Sequence, residues 1–92
     1  MSISFEKKVV IPKDVLVNEL QGESVLLNLD NENYYGLDEV GTRMWAVLKE
    51  SETIQAAYDS LVDEYDVEPE VLRKDLEALI QHLLDEGLVQ LR

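Results

Sequence analysis

Cysteine is absent from these 92 residues. That excludes a disulfide framework, a thiolate nucleophile and any cysteine-based zinc or iron–sulfur site. It also suits a reducing, cytoplasmic setting. Bases are scarce: 8 Lys and Arg stand against 20 Asp and Glu, for a net charge of −12. A phosphate backbone repels such a chain, so ordinary nucleic-acid binding is disfavoured. No apolar run approaches the roughly 18 residues that span a bilayer, and a membrane partner is not expected. The N-terminal MSISFEKKVVIP lacks the unbroken apolar core of a signal peptide.

Residues that carry catalysis are equally thin. There is one histidine, His82, on the flank of an apolar helical stripe, where a polar flank residue is the simpler meaning. No second His or Cys offers a zinc-like set, so neither metal nor other cofactor is expected. Asp63-Glu64 and Asp85-Glu86 are sequence neighbours and not a converging acid pair across a cleft. The four glycines, at 22, 36, 41 and 87, form no phosphate-cradling loop. An enzyme is therefore not expected, and no residue is assigned as catalytic.

What is present is order along the chain. Hydrophobic residues make up 46%, enough for one small domain with a thin core. Residues 1–13 alternate loosely and read as an arm or an extra edge strand, ahead of a domain over 14–92. Val15–Leu20 and Ser24–Leu29 read as strands joined by Gln21-Gly22. Asp30-Asn31-Glu32-Asn33 is a polar turn. Tyr34-Tyr35-Gly36-Leu37 follows as a short third strand. Asp38 is a good N-cap for a helix ending near Glu50. Thr53 caps a second helix with an apolar stripe from Ile54 to Tyr65. Glu68 and Pro69 open a third, whose face runs Leu72, Leu76, Leu79, Ile80, Leu83, Leu84, with Gly87 as its stop. Leu88–Leu91 either packs back or adds a strand.

Strands followed by three helices with tight joints give an α+β fold: a winged helix-turn-helix with a three-stranded antiparallel sheet as the wing. Such units usually suggest DNA, but the third helix carries Glu70, Asp75, Glu77, Asp85 and Glu86 against only Arg73 and Lys74. The acids between Asp59 and Glu70 are a solvated face or a steering field for a basic partner. Tyr34 and Tyr35 are either ordinary strand aromatics or the lining of a groove. A third strand with no fourth neighbour leaves unpaired N–H and C=O groups that an extended peptide can complete. Leu37 is expected among the edge donors. Met44 and Trp45 read as core.

The ordered set Leu26-Leu27, Tyr34-Tyr35-Gly36-Leu37, Asp38, Gly41, Met44-Trp45, Asp75-Leu76 and Gly87-Leu88-Val89 resembles the PqqD-like proteins, the precursor-recognition domains of ribosomally made, post-translationally modified peptides. The likeness covers about residues 15 to 89. Asp38 stands where the family often has Asn, and the DNEN turn differs from the pyrroloquinoline quinone members. It is similar instead to the stand-alone recognition proteins of lasso-peptide pathways. The resemblance implies a non-catalytic chaperone that takes a precursor leader peptide as an added strand. It implies delivery to a modifying enzyme or leader peptidase, of the lasso-type protease or radical-SAM kind. Carried onto this sequence, the peptide-binding residues are Tyr34, Tyr35, Gly36 and Leu37 on the edge, and Leu72, Asp75, Leu76 and Leu79 on the last helix. Asp75 is either a partner for a leader Lys or Arg or a solvated helix acid. Lasso-type leaders are recognised in part through a Tyr-x-x-Pro element. The alternative is a protein-interaction or regulatory winged-helix domain unconnected with peptide maturation.

Overall fold

A computed structural model describes residues 3–92 of the chain; Met1 and Ser2, the start of the expected arm, lie outside the described residues. The order of elements is β1 (Val9–Val10), β2 (Val15–Leu20), β3 (Glu23–Asn28), β4 (Tyr34–Leu37), α1 (Glu39–Glu50), α2 (Ile54–Glu64), α3 (Pro69–Asp85) and β5 (Gln90–Leu91). Strands β2, β3 and β4 form an antiparallel meander in that order, the wing of an α+β winged helix-turn-helix.

The β2–β3 hairpin turns on Gln21 (φ 55°) and Gly22 (φ 83°). Two successive positive φ angles define a type I′ turn, whose twist suits a two-residue hairpin. In the β3–β4 turn the left-handed position falls on Glu32 (φ 64°) and not on its Asn neighbours. The asparagines serve instead through their side chains: the Asn31 carbonyl Oδ1 accepts from Asn33 N at 2.9 Å.

The helix starts follow the local chemistry. Asp38 Oδ1 accepts from Gly41 N at 2.8 Å, and Thr53 Oγ1 accepts from Ala56 N at 3.0 Å. These bonds satisfy amides that the first helical turn leaves without a partner. Glu68 occupies the N-cap of α3 without a side-chain bond, and Pro69 supplies the preset φ instead. Val67, the residue before that cap, stays 48% exposed.

The N-terminal segment belongs to the helical layer and adds nothing to the wing. Val9 and Val10 pair antiparallel with Leu91 and Gln90, a separate two-stranded ribbon. Phe5 and Lys7 carbonyls accept from Gln55 N and Ile54 N, each at 2.8 Å, at the start of α2. Phe5 is buried, packs edge-on against Tyr58, and has the Arg73 guanidinium 4.0 Å above its ring. The C-terminal tail does both things expected of it: Leu88 and Val89 are buried and the next two residues pair.

The core lies between the inner face of the wing and the three helices. Trp45, Leu26, Leu48, Ile54, Leu61, Leu76, Ile80, Leu83 and Leu88 are its largest fully buried members. The two buried polar side chains among the described residues are Ser24 and Asn28, both on β3.

Candidate functional site

An open cleft of about 340 Å³ runs between the free edge of β4, the start of α1 and the middle of α3. Three elements supply its walls. The β4 wall contributes Tyr35; α1 contributes Val40, Gly41 and Met44, with Asp38 at its cap; α3 contributes Asp75, Ala78, Leu79 and His82. The α3 set is spaced i, i+3, i+4, i+7, one face of a helix adjacent to the core stripe. Gly41 is closely approached: a Cβ there would sit 3.3 Å from both Leu37 Cδ2 and Asp38 Oδ1.

The register decides which backbone groups face the cleft. Asn28 N donates to Asn33 O at 2.8 Å, and the pairing continues as Leu27–Tyr34, Leu26–Tyr35, Val25–Gly36 and Ser24–Leu37. Directly opposed residues in an antiparallel ladder alternate between bonded and non-bonded pairs. Tyr35 and Leu37 therefore spend their N–H and C=O groups on β3. Tyr34 and Gly36 turn theirs outward, to an edge with no further strand among the described residues. The expectation that Leu37 supplies an edge donor is thus corrected: its side chain is buried and its backbone is in the bonded pair with Ser24.

The eight residues expected at the site separate into groups. Tyr35, Asp75 and Leu79 meet across the cleft. Tyr34 and Gly36 provide the open backbone, while the Tyr34 ring is 71% exposed on the outward face of the sheet. Leu37, Leu72 and Leu76 point into the core and are not in the cleft lining. For α3 the reason is rotational: the 72-76-80-83 stripe is consumed by packing, so the cleft receives residues turned to one side of it.

His82, Met44, Val40 and Ala78, with Asp38 and Gly41 at the start of α1, complete the cleft and were not expected there. Helical spacing from Asp75 and Leu79 would have pointed to His82 and Ala78. Nothing local signals Val40 or Met44, which arrive through the packing of α1. His82 is exposed yet stacks on Tyr35, with ring centroids 5.8 Å apart and planes 23° apart. The cleft is apolar on its floor and acidic at its rim, through Asp38 and Asp75. No group of His, Cys, Asp and Glu suited to hold a metal occurs among the described residues, and none of their helices is long and apolar enough to cross a membrane.

A second surface lies on the opposite face of the wing. Leu16, Leu27 and Tyr34 form one cross-strand row, with Val25 and Leu20 beside it. Leu16, Leu20, Val25 and Tyr34 are all exposed. An antiparallel sheet normally presents polar side chains to water on such a face.

The strongest electrostatic contact lies elsewhere. Arg43 on α1 grips Glu64 on α2 through bonds of 2.7 to 3.0 Å. The guanidinium holds the Glu64 carboxyl below its ordinary range, and Glu64 raises Arg43 in turn. Burial, followed by the Glu64 charge, raises the neighbouring Tyr65.

Comparisons with known proteins agree with this architecture. No curated protein sequence matches. Among solved structures, TbiB1 in complex with the TbiA(beta) leader peptide aligns with a TM-score of 0.80 and 31% identity, covering 88% of this chain and 94% of that one. A lasso peptide synthetase B1 complexed with the leader peptide shares the fold, with a TM-score of 0.79 at 20% identity, over 90% of this chain and 98% of that one. The family model for coenzyme PQQ synthesis protein D (PqqD) matches residues 23–89, which take in the last two wing strands, all three helices and every residue of the cleft. The chain therefore belongs to the PqqD family.

Proposed function

We propose that this chain binds the leader segment of a ribosomally made precursor peptide and presents it to a separate enzyme. The leader adds as a fourth, antiparallel strand on β4, pairing with the outward N–H and C=O groups of Tyr34 and Gly36. Side chains on its inner side settle in the cleft against Tyr35, Met44, Leu79 and His82. Asp75 accepts from a leader Lys or Arg at the rim. The observation that carries this is the unpaired edge of β4 lying beside a cleft walled by α3. The relative at 31% identity, TbiB1, was itself solved with a leader peptide bound.

Backbone pairing supplies affinity with little regard to sequence, and the cleft supplies selectivity. Binding and presentation require no bond to be made or broken, so the chain works without catalysis or a cofactor of its own. The chemistry belongs to its partner, a leader peptidase of the lasso type or a radical-SAM modifying enzyme. The exposed apolar face of the wing is the surface offered to that partner, since solvent alone gives no reason for such a face.

An NMR titration with the leader peptides bound by the two structural relatives tests the site. Amide shifts are expected at residues 34–37, at the start of α1 and along α3 from Asp75 to His82. Shifts confined to residues 53–65 would sink the proposed site. Saturable duplex DNA binding at moderate salt would count against the function itself.

A further inference from the structure

We propose that Asn28 is a positioning residue for leader binding: its side-chain amide fixes the C-terminal end of α3 against the wing and so sets the spacing between the β4 edge and the helix that faces it. The inference rests on the leader-binding function and adds to it the element that holds the cleft at working width.

Asn28 closes β3 on the inner face of the sheet, opposite Val15 and two residues from Leu26. An apolar β-branched residue would satisfy that position by packing alone. Asn28 is instead 8% exposed and its side chain makes three bonds. Oδ1 accepts from Asp30 N at 2.8 Å and from Asn31 N at 3.3 Å. Nδ2 donates to the Gly87 carbonyl at 2.7 Å, across 59 residues of sequence. The first two are turn bonds that an Asp would make equally well. The third is open only to an amide, which carries both an acceptor and a donor.

The surroundings of the bond show what it joins. Gly87 sits just beyond the C-cap of α3 at φ 72°. It is closely approached: an added Cβ would lie 3.2 Å from Asn31 Nδ2 and 3.3 Å from Asn28 Nδ2. Asn33 Nδ2 adds a longer bond to the Glu86 carbonyl at 3.4 Å. Two asparagines from the wing thus donate to carbonyls at the exit of α3, that of the C-cap Glu86 and that of Gly87 just beyond it.

The other wall of the cleft is tied to the same strand. Ser24 Oγ and Thr42 Oγ1 of α1 are 2.8 Å apart. Strand β4 is itself laddered to β3. The edge, α1 and α3 are therefore all referenced to β3, and the two buried polar residues of that strand are the links to the helices. An incoming strand must fit between β4 and α3 at the spacing of a backbone ladder, about 4.8 Å from its neighbour. A helix end free to drift would hold that spacing only part of the time, and apparent affinity falls with the competent fraction.

The test uses Asn28→Asp, which keeps both turn acceptors and removes the donor to Gly87. Asn33→Ala is the milder companion on an exposed residue, safe for folding. Ile54→Val serves as a core control remote from the cleft, lowering thermal stability without touching either wall. Affinity is read by calorimetry with the TbiA(beta) leader peptide and with the leader peptide bound by the second lasso peptide synthetase B1. The free proteins are read by contacts between the Tyr35 and His82 rings in NOE spectra. The expected result is a loss of affinity of about tenfold for Asn28→Asp, a smaller loss for Asn33→Ala and none for Ile54→Val. Ring contacts in the two Asn variants should weaken before any peptide is added. Unchanged affinity in a folded Asn28→Asp protein would overturn the positioning role and leave leader binding standing. The positioning role is equally overturned if Ile54→Val loses affinity in proportion to its stability. Failure of the unaltered protein to bind either leader would overturn leader binding, and the positioning role with it.

Discussion

Tyr35 of β4 and His82 of α3 stack across the cleft, with ring centroids 5.8 Å apart and planes 23° apart. One residue comes from the edge strand and the other from the helix that faces it, 47 positions later in the chain. The pair bridges the walls between which a leader strand would lie. Stacked aromatic pairs contribute about 0.5–1.5 kcal/mol beyond their area burial. His82→Ala is expected to leave the exposed helix face folded and to loosen the cleft. A double-mutant cycle with Tyr35→Ala, read by leader affinity, should show coupling within that range. Strict additivity would mean that the stack has no part in binding.

The ladder register makes a sharp distinction between neighbouring positions. Gly36 turns its N–H to the open edge, and a Cβ there meets nothing within 4 Å. Proline is tolerated on an edge strand when its missing N–H faces outward. Gly36→Pro should therefore fold and bind the leader more weakly, by about 0.5–1.5 kcal/mol for one lost backbone bond. Leu37→Pro removes a ladder bond to Ser24 and should instead lower the melting temperature. Equal leader affinity for Gly36→Pro and the unaltered chain would place the added strand elsewhere.

Two adjacent residues of α3 should part company in the same way. Leu76 is fully buried and absent from the cleft. Leu76→Ala is expected to cost about 2–5 kcal/mol of stability through lost burial and a residual cavity. Asp75 is exposed on the rim, and Asp75→Asn should leave stability almost untouched. Its effect should fall on leader affinity, and should shrink as salt is raised. Chemical denaturation and calorimetry on the two variants separate these outcomes. A salt-independent Asp75 effect would argue against an ion pair.

The Arg43–Glu64 pair gives a pH dependence of known sign. Glu64 has its folded pKa depressed by Arg43. Its contribution is fully present above the ordinary carboxylate range and is lost as pH falls through the depressed value. Arg43 is raised, and stays charged across any pH at which the fold is measured. Glu64→Gln should therefore lower the melting temperature slightly at neutral pH, and the difference from the unaltered chain should close on acidification. Both side chains are solvent-exposed, so the effect is small. A gap that widens toward low pH would contradict the assignment.

The wing and the three helices were legible in the chain because their signals are local. A type I′ pair at Gln21-Gly22, caps at Asp38 and Thr53, Pro69 at a helix start and Gly87 past a helix end act within a few residues of themselves. Hydrophobic periodicity likewise marks which helix face is buried, and the charge balance argues against a DNA role before any coordinate is known. Other facts depend on which elements meet. Val9–Val10 find their partner in Gln90–Leu91, beyond every other element of the fold, and no property of a two-residue strand announces that. The direction of each β4 amide depends on the phase of the ladder, which was settled by the Asn28–Asn33 bond and moved the edge donor from Leu37 to Gly36. Leu72 and Leu76 went to the core, and His82 to the cleft, because α3 is rotated to bury one stripe against α2 and the wing. Local sequence chooses conformations residue by residue through short-range sterics and hydrogen bonds. The cleft exists only once separate elements are packed, since burial is shared among residues distant in the chain and no one of them specifies it.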